Sequence, residues 1–304
     1  MRSPSCGRRA STRGPRESSR CRRSFPSRKL APPLALSVTI VTRDEERNLA
    51  RCLTSVAWAE DVVVVDSGST DRTGAIAVAL GARFVVHPWP GYAAQKNHAA
   101  SLARHEWVLS LDADEWLESE AEAEIRAVLS APAHAAYAFR RLSAFSGGFV
   151  PHAWSPDRQV RLYRKEVARF GGGHVHESVR LDPGATVGRL ASPLLHLTHR
   201  DVDAQVARLN DYSALASRTA FEAGERFRLG RTLFGPVAAF VKSYLIKAGM
   251  LDGMRGLIVA VNHAHYVFLK GAKLWDRRRP KDPEFERRVP KTSEDPDPGA
   301  PYSG

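Results

Sequence analysis

The chain has few cysteines, no long apolar run and no glycine-rich phosphate loop, and each shortage removes a class of protein. Its three cysteines are Cys6, Cys21 and Cys52. The first two fall in an N-terminal stretch with almost no aliphatic residues, so no disulfide framework can staple the folded part; this is the cysteine usage of a reducing cytoplasm. Cys52, alone in a helical pattern, reads as a small buried hydrophobe. In the apolar C-terminal stretch the longest charge-free run, Gly256 to Leu269, has 14 residues, short of the ~20 that a spanning helix needs. Neither the dinucleotide fingerprint nor a P-loop follows the first strand. No apolar h-region marks a secretory signal peptide, and no internal repeat is present.

What remains is an ordinary globular composition. The chain has 304 residues, 43% hydrophobic and 26% charged, enough to bury a core and outside the ranges of wholly disordered or multi-span chains. The net charge of +12 suggests nucleic acid until it is located. Residues 1–29 hold nine Arg and one Lys against the single acid Glu17, which leaves only +3 for the rest. The basicity belongs to a tail and says little about what the folded part binds, so no nucleic-acid partner is expected. Residues 1–33 read as a disordered basic tail, with an organelle transit peptide or an upstream start codon as alternatives. Residues 277–304, charged and Pro-rich, read as a second disordered tail.

Between the tails the hydrophobic period alternates. Leu36–Val41, Asp61–Asp66, Arg83–Val86 and Trp107–Asp112 are strand candidates, and Asp61-Val-Val-Val-Val-Asp66 is too uniformly apolar to have a wet face. Leu49, Cys52, Leu53 and Val56 recur at helical spacing, Ser69 or Thr70 caps a helix that stops at Gly81, and residues 92–103 form another. This rhythm predicts an α/β fold with a central, mostly parallel sheet flanked by helices. Ala136–Arg141 and Gln159–Tyr163 alternate like strands with one wet face. The main domain spans residues 34–200. Residues 201–276 form an amphipathic helical region: a polar helix over 201–228, then a pair over 232–270 that reads as lying in a membrane interface, or as packing on the domain or on a second copy.

Ligands of an open parallel sheet sit beyond the carboxyl ends of its strands. Here those ends carry Thr42-Arg43-Asp44-Glu45-Glu46, Asp66-Ser67-Gly68-Ser69-Thr70-Asp71 and Asp112-Ala113-Asp114-Glu115, so acids from three strands are expected to converge on one crevice. An Asp-x-Asp at a strand-to-loop junction suits a hard cation whose other ligands are substrate phosphates and water. A solvated helix start is the other account of the same residues. His174, His176, His196 and His199 offer four nitrogens to zinc, but no cysteine or third carboxylate completes that set.

Val38-Thr-Ile-Val-Thr-Arg-Asp-Glu-Glu46, Val65-Asp-Ser-Gly-Ser-Thr-Asp-Arg-Thr73, Ala94-Gln-Lys-Asn97 and Leu109-Ser-Leu-Asp-Ala-Asp-Glu115 resemble, in order and spacing, the family 2 glycosyltransferases of the GT-A (Rossmann-like) fold. Val175-His-Glu177, the segment Gly188 to His196, and Tyr266 to Lys270 resemble its lipopolysaccharide core β-1,4-glucosyltransferase branch. The resemblance runs from about residue 36 to 276. It implies that residues 34–200 bind a nucleotide sugar, with Thr42 and Glu45 at the nucleoside and Asp66 at the base or ribose. It places Lys96 near the diphosphate and makes Asp112 and Asp114 the ligands of Mg²⁺ or Mn²⁺, the second the more direct. A divalent metal neutralises a diphosphate leaving group, and one positioned carboxylate deprotonates the acceptor hydroxyl. Glu177, beside His176, is the expected base, in a region where many family members have an Asp; holding a loop or orienting the acceptor is its alternative role.

The implied activity is metal-dependent, inverting transfer of a hexose, most plausibly glucose from UDP-glucose, to a lipopolysaccharide core sugar. The implied location is the cytoplasmic side, peripheral on the inner membrane. A polyprenyl-phosphate acceptor is the same-fold alternative. A sugar nucleotidyltransferase is the alternative from another class, although Arg43-Asp-Glu-Glu-Arg47 is too acidic for a triphosphate loop. Arg140, Arg141, Arg158, Arg161 and Arg164 suit either an anionic acceptor or a solvated strand face. Trp89, Tyr92 and Trp154 suit sugar rings or the edge of the core.

Overall fold

The β-branched runs become the centre of the molecule because neither of their faces reaches water. The computed structural model describes residues 34–172, 177–279 and 282–288, which belong to one compact unit, Pro33–Gly304. Strand β1 (Leu34–Thr42) is followed by α1 (Leu49–Ser55), β2 (Ala59–Asp66), α2 (Thr73–Ala79), β3 (Arg83–Val86), α3 (Tyr92–Ser101) and β4 (Trp107–Asp112). On one face Leu36, Val38, Ile40, Val64, Leu109 and Leu111 pack against Leu49, Cys52, Leu53 and Val56. On the other, Val63 and Val65 pack against Ala99. Each such side chain contributes ~1.5–3 kcal/mol when fully removed from water. Cys52 is fully buried, the small hydrophobe its spacing predicts.

Two-sided burial lets β3, β2, β1 and β4 run parallel in that order. Beyond β4 the sheet changes character. The chain continues through β5 (Glu115–Trp116), α4 (Ser119–Ser130), β6 (Ala136–Phe145), β7 (Gly148–Val150), β8 (Arg158–Arg164), β9 (Ala168–Gly172), β10 (Glu177–Leu181) and β11 (Val187–His199). Strands β8, β6, β11 and β5 extend the sheet from β4, with β8 antiparallel to both neighbours and β6 parallel to β11. The sheet is therefore mixed, and the expected parallel arrangement holds for its first half only. Antiparallel pairing there follows from β6 and β8 being joined through β7 and a loop, without the helical crossover that parallel neighbours usually have. Strands β9 and β10 form a separate hairpin.

The expected helix cap also shifts. Ser69 is bonded to Asp66, and Thr73 opens α2 with its amide donating to Asp71 Oδ1. Gly81, with φ +79°, ends that turn in a conformation that favours glycine.

The C-terminal region consists of α5 (Val202–Glu222), α6 (Leu229–Val241), α7 (Gly253–Arg278) and the short α8 (Pro283–Arg288). Asp201 caps α5 by accepting from the Ala204 amide at 2.8 Å. The polar helix ends at Glu222 rather than near 228, and the expected helix pair is α6 and α7. A π turn at Lys242–Ile246 and a 3₁₀ turn at Gly249–Asp252 join α6 to α7. Close approach fixes this junction: a Cβ at Gly256 would lie 1.8 Å from the Gly249 carbonyl oxygen, and one at Gly271 2.4 Å from Thr232 Oγ1. Asp252 ties the junction to the sheet domain, accepting from the His152 and Ala153 amides and pairing with His152 Nδ1 at 2.6 Å. Among the described residues no helix is long and apolar enough to cross a membrane.

Candidate active site

A cavity of 660 Å³ opens beyond the carboxyl ends of β1 and β4, where the topology of a parallel sheet places ligands. Thr42, Glu45, Asp112 and Asp114 all line it, with Ser67, Arg161, His196 and Arg208. Three consecutive residues of α3 brace its walls. Gln95, fully buried, donates to Ser67 Oγ at 3.1 Å. Lys96 Nζ lies 2.8 Å from Asp112 Oδ1. Asn97 exchanges two hydrogen bonds with the Phe170 backbone, at 2.8 and 2.9 Å. The short Gln-Lys-Asn sequence therefore pins the β2 loop, the Asp-x-Asp turn and the β9 hairpin to one helix.

The two aspartates of Asp-x-Asp have different surroundings. Asp112 meets Lys96 on one oxygen and Arg161 Nη2 on the other, at 2.7 Å. Burial pushes its carboxyl up, but the Lys96 and Arg161 charges outweigh burial and hold it far below the ordinary carboxylate range. Arg161 also reaches the fully buried Glu115 Oε1 at 2.6 Å, and these two carboxylates hold its guanidinium protonated against the opposing effect of burial. Glu115 in turn accepts from the Asp112 amide at 3.1 Å, and Arg141 stands 3.6 Å from it. Asp112, its side chain 30% exposed, is thus the ionised edge of a charge-compensated cluster built on the buried Glu115 and Arg161.

Asp114 keeps capacity for a ligand. One oxygen lies 3.3 Å from His196 Nε2; the other, Oδ1, is buried without a hydrogen-bond partner. A buried acceptor without a donor costs ~1–3 kcal/mol, and a hard cation with substrate phosphates is a chemically suitable partner. Thr42 Oγ1 is likewise buried and unpartnered at the cavity wall. No group of three or more His, Cys, Asp or Glu among the described residues could hold a metal unaided. Two carboxylates with substrate oxygens are nonetheless the usual set for Mg²⁺. Of the four histidines that could offer nitrogens to zinc, His174 and His176 lie outside the described residues, and His196 Nε2 lies 3.3 Å from Asp114.

The other predicted residues fall into two groups. Burial pushes the Glu45 carboxyl up, against the Asn48 amide that donates to it at 2.7 Å. Asp66 does not line the cavity. It is buried and accepts from the Gly68 and Ser69 amides and the Ser69 hydroxyl, so it shapes the loop whose Ser67 does line it. The three acids expected to converge are therefore two at the cavity and one behind it. Lys96, 1% exposed, likewise acts from behind Asp112. Glu177 opens β10, and the next residues, Ser178 and Val179, line the cavity; its side chain is outside what is described. Of the arginines, Arg141 and Arg161 reach the cavity, whereas Arg164 pairs with Glu106 at 3.3 Å. Trp89 and Tyr92 line this cavity.

The sequence reading did not single out Glu115, Ser67, Gln95 or Arg208. Glu115 was the most accessible of these, as an acid in a turn already crowded with acids. On β11, His196 sits in register with Glu115. His199 lies at the end of that strand, its imidazole pushed down to about 4 by burial and then by the Arg208 and His196 charges.

Residues 37–179 match the family model described as glycosyl transferase family 2. The chain is 31% identical over 256 residues to the lipopolysaccharide core biosynthesis glycosyltransferase LpsC of Rhizobium meliloti, covering 82% of this chain and 94% of that one. It is 30% identical over 253 residues to the uncharacterized glycosyltransferase RP128 of Rickettsia prowazekii, covering 79% and 87%. Among solved structures, Staphylococcus aureus TarS 1–349 aligns over 79% of this chain and 89% of that one, with a TM-score of 0.41 and 16% identity.

Proposed function

The chain belongs to glycosyl transferase family 2, and on that premise we propose that it moves a hexose from a UDP-linked donor, glucose in the first instance, to a lipopolysaccharide core acceptor with inversion at the anomeric carbon. The observation that carries this reading is one cavity lined by Thr42, Glu45, Asp112 and Asp114, in which Asp114 and Thr42 each carry a buried side-chain oxygen with no hydrogen-bond partner. Thr42, Glu45 and Ser67 meet the nucleoside, and Asp66 serves that contact by holding the Ser67 loop. Asp114, with Asp112, would hold Mg²⁺ or Mn²⁺, which when bound would supply positive charge to a diphosphate leaving group. Lys96 and Arg161 keep Asp112 ionised at every working pH and add positive potential beneath the diphosphate. Glu177 accepts the proton of the attacking hydroxyl.

The same reading assigns the C-terminal helices to the cytoplasmic face of the inner membrane. Phe234 (73% exposed), Ile246 (76%) and Met254 (69%) project from α6, the π turn and the start of α7, with Arg231 and Lys242 beside them. An apolar face with basic neighbours suits an anionic bilayer surface. Phe234→Glu with Ile246→Glu should release the protein from anionic vesicles without lowering Tm; retained binding would move the membrane contact elsewhere.

The transfer reading is tested by incubating the protein with UDP-glucose, Mn²⁺ and core lipopolysaccharide lacking the terminal hexose. Release of UDP with an equal gain of hexose on the lipid supports it. No transfer to this acceptor, with transfer to a polyprenyl phosphate, would replace the acceptor class.

A further inference from the structure

A second cavity, of 870 Å³, adjoins the first, and the two share Thr198, His199, Arg208, Tyr212 and Leu215 as lining. It lies between α5 and α7, beside the π turn. Its wall is apolar: Leu209, Ala216 and Ala220 from α5, Val259 from α7, and Trp154 from the loop after β7. Three lysines, Lys242, Lys247 and Lys270, also line it, against the single acid Glu225. Among the described residues no carboxylate stands within ion-pair distance of any of the three. The charges of Lys247 and Lys242 reach the same point, since both depress His263 on the facing helix, after burial.

Three cations around an apolar hollow repel one another and attract an anion, and the hollow accepts the hydrocarbon part of that anion's carrier. Continuity with the donor cavity identifies the carrier. A lipid headgroup that merely anchored the protein would gain nothing from a passage to the transfer centre, whereas a glycosyl acceptor requires one. Arg208 and Tyr212 stand at the junction, with Arg208 Nε and Nη2 donating to the Tyr212 hydroxyl at 3.0 and 2.9 Å. Leu245 and Ile246, exposed on the same turn as Lys242, give a lipid-linked molecule an apolar approach.

We propose that this second cavity is the acceptor site, in which Lys242, Lys247 and Lys270 attract the phosphate groups of a lipid-linked saccharide whose sugar end extends past the Arg208–Tyr212 pair into the donor cavity. The proposal rests on the family 2 transfer reading and adds to it a phosphate-dependent acceptor contact. Trp154 stands on the saccharide's path as a stacking surface.

The test uses the full chain and de-O-acylated core glycolipid, phosphorylated or phosphatase-treated, in both a calorimetric binding arm and a transfer arm. Lys247→Ala with Lys270→Ala should weaken phosphorylated glycolipid ~10–100-fold, the expected loss of charge-assisted contacts. The same variant should raise its KM in proportion while leaving the KM for UDP-glucose and the Tm unchanged. Phosphatase treatment should produce a similar loss for the unaltered protein and little further loss for the variant. Lys→Arg at both positions should restore most of the affinity. An unchanged acceptor KM, or an equal loss with both glycolipids, would overturn the proposal. Lysine-dependent binding of phosphatidylglycerol vesicles that displaces the glycolipid would also overturn it, in favour of a headgroup site. Lysine-dependent glycolipid binding without transfer would uphold the site while removing the transfer reading.

Discussion

Replacing Arg161 by Met should be the most damaging change at the base of the cavity beyond β1 and β4. The guanidinium is 5% exposed and bonds Asp112 at 2.7 Å and the wholly buried Glu115 at 2.6 Å. Methionine fills similar volume but leaves Glu115 with only Arg141, 3.6 Å away, and Asp112 with Lys96 alone. Breaking one side of a buried ion network costs about 3–5 kcal/mol, because the stranded charge loses its compensation. For a chain of this size that is a fall in Tm on the order of 10 °C. Urea unfolding of Arg161→Met, Glu115→Gln and the double variant measures it, and the double should be less destabilised than the sum of the singles. The acid limb supplies a second reading. The Asp112 carboxyl is depressed in the folded state, so its stabilisation is present above the unfolded carboxylate value and is lost as pH falls through the folded one. Removing Arg161 raises that folded value, so the variant should begin to lose stability at a higher pH than the unaltered protein. A Tm within ~2 °C of the unaltered protein, with an unshifted acid limb, would refute the compensated cluster.

Two other substitutions test separate parts of the account. Glu177→Gln should lower kcat by ~10²–10⁴-fold, the range of a lost general base, while UDP-glucose binding measured by calorimetry is retained; a near-normal kcat would place the base elsewhere. Gly256→Ala should destabilise the C-terminal helices by at least ~1–3 kcal/mol in thermal melts, because its methyl would meet the Gly249 carbonyl; an unchanged melt would mean that α7 and the 3₁₀ turn are not held in that contact.

Much of the first half of the molecule is legible in the sequence because a central parallel strand is apolar on both faces. The run Asp61–Asp66 reads as a strand whatever its neighbours are, and it is one. Strand β11 is harder to see: its residues Val187–His199 mix apolar, basic and proline positions, since only part of their length is covered. The division at the sheet's second half escaped for a related reason. Alternation shows that β6 and β8 are strands but not which direction they run. At the site, residue type singled out Asp112 and Asp114, and both line the cavity, but spacing could not tell which charge would be compensated by the protein itself. That difference depends on Lys96 and Arg161 arriving from a helix and a strand distant in the chain. Asp66 shows the limit most clearly. Its motif position suggested a ligand contact, yet two local amides and a hydroxyl already occupy its carboxylate. The second cavity was also out of reach, because its lining comes from α5, the π turn and α7, segments distant in the chain.

On the proposed reading Asp114 would help hold a divalent metal beside a nucleotide in the cavity above β1 and β4. Calorimetric titration of UDP into the protein, with and without Mn²⁺, for the unaltered chain and for Asp114→Asn, tests it most directly. The account predicts Mn²⁺-dependent binding that weakens by at least ~10-fold in Asp114→Asn, the minimum for losing one charged contact, with Tm preserved. Equal UDP affinity with and without Mn²⁺, or an unaffected Asp114→Asn variant, would contradict it.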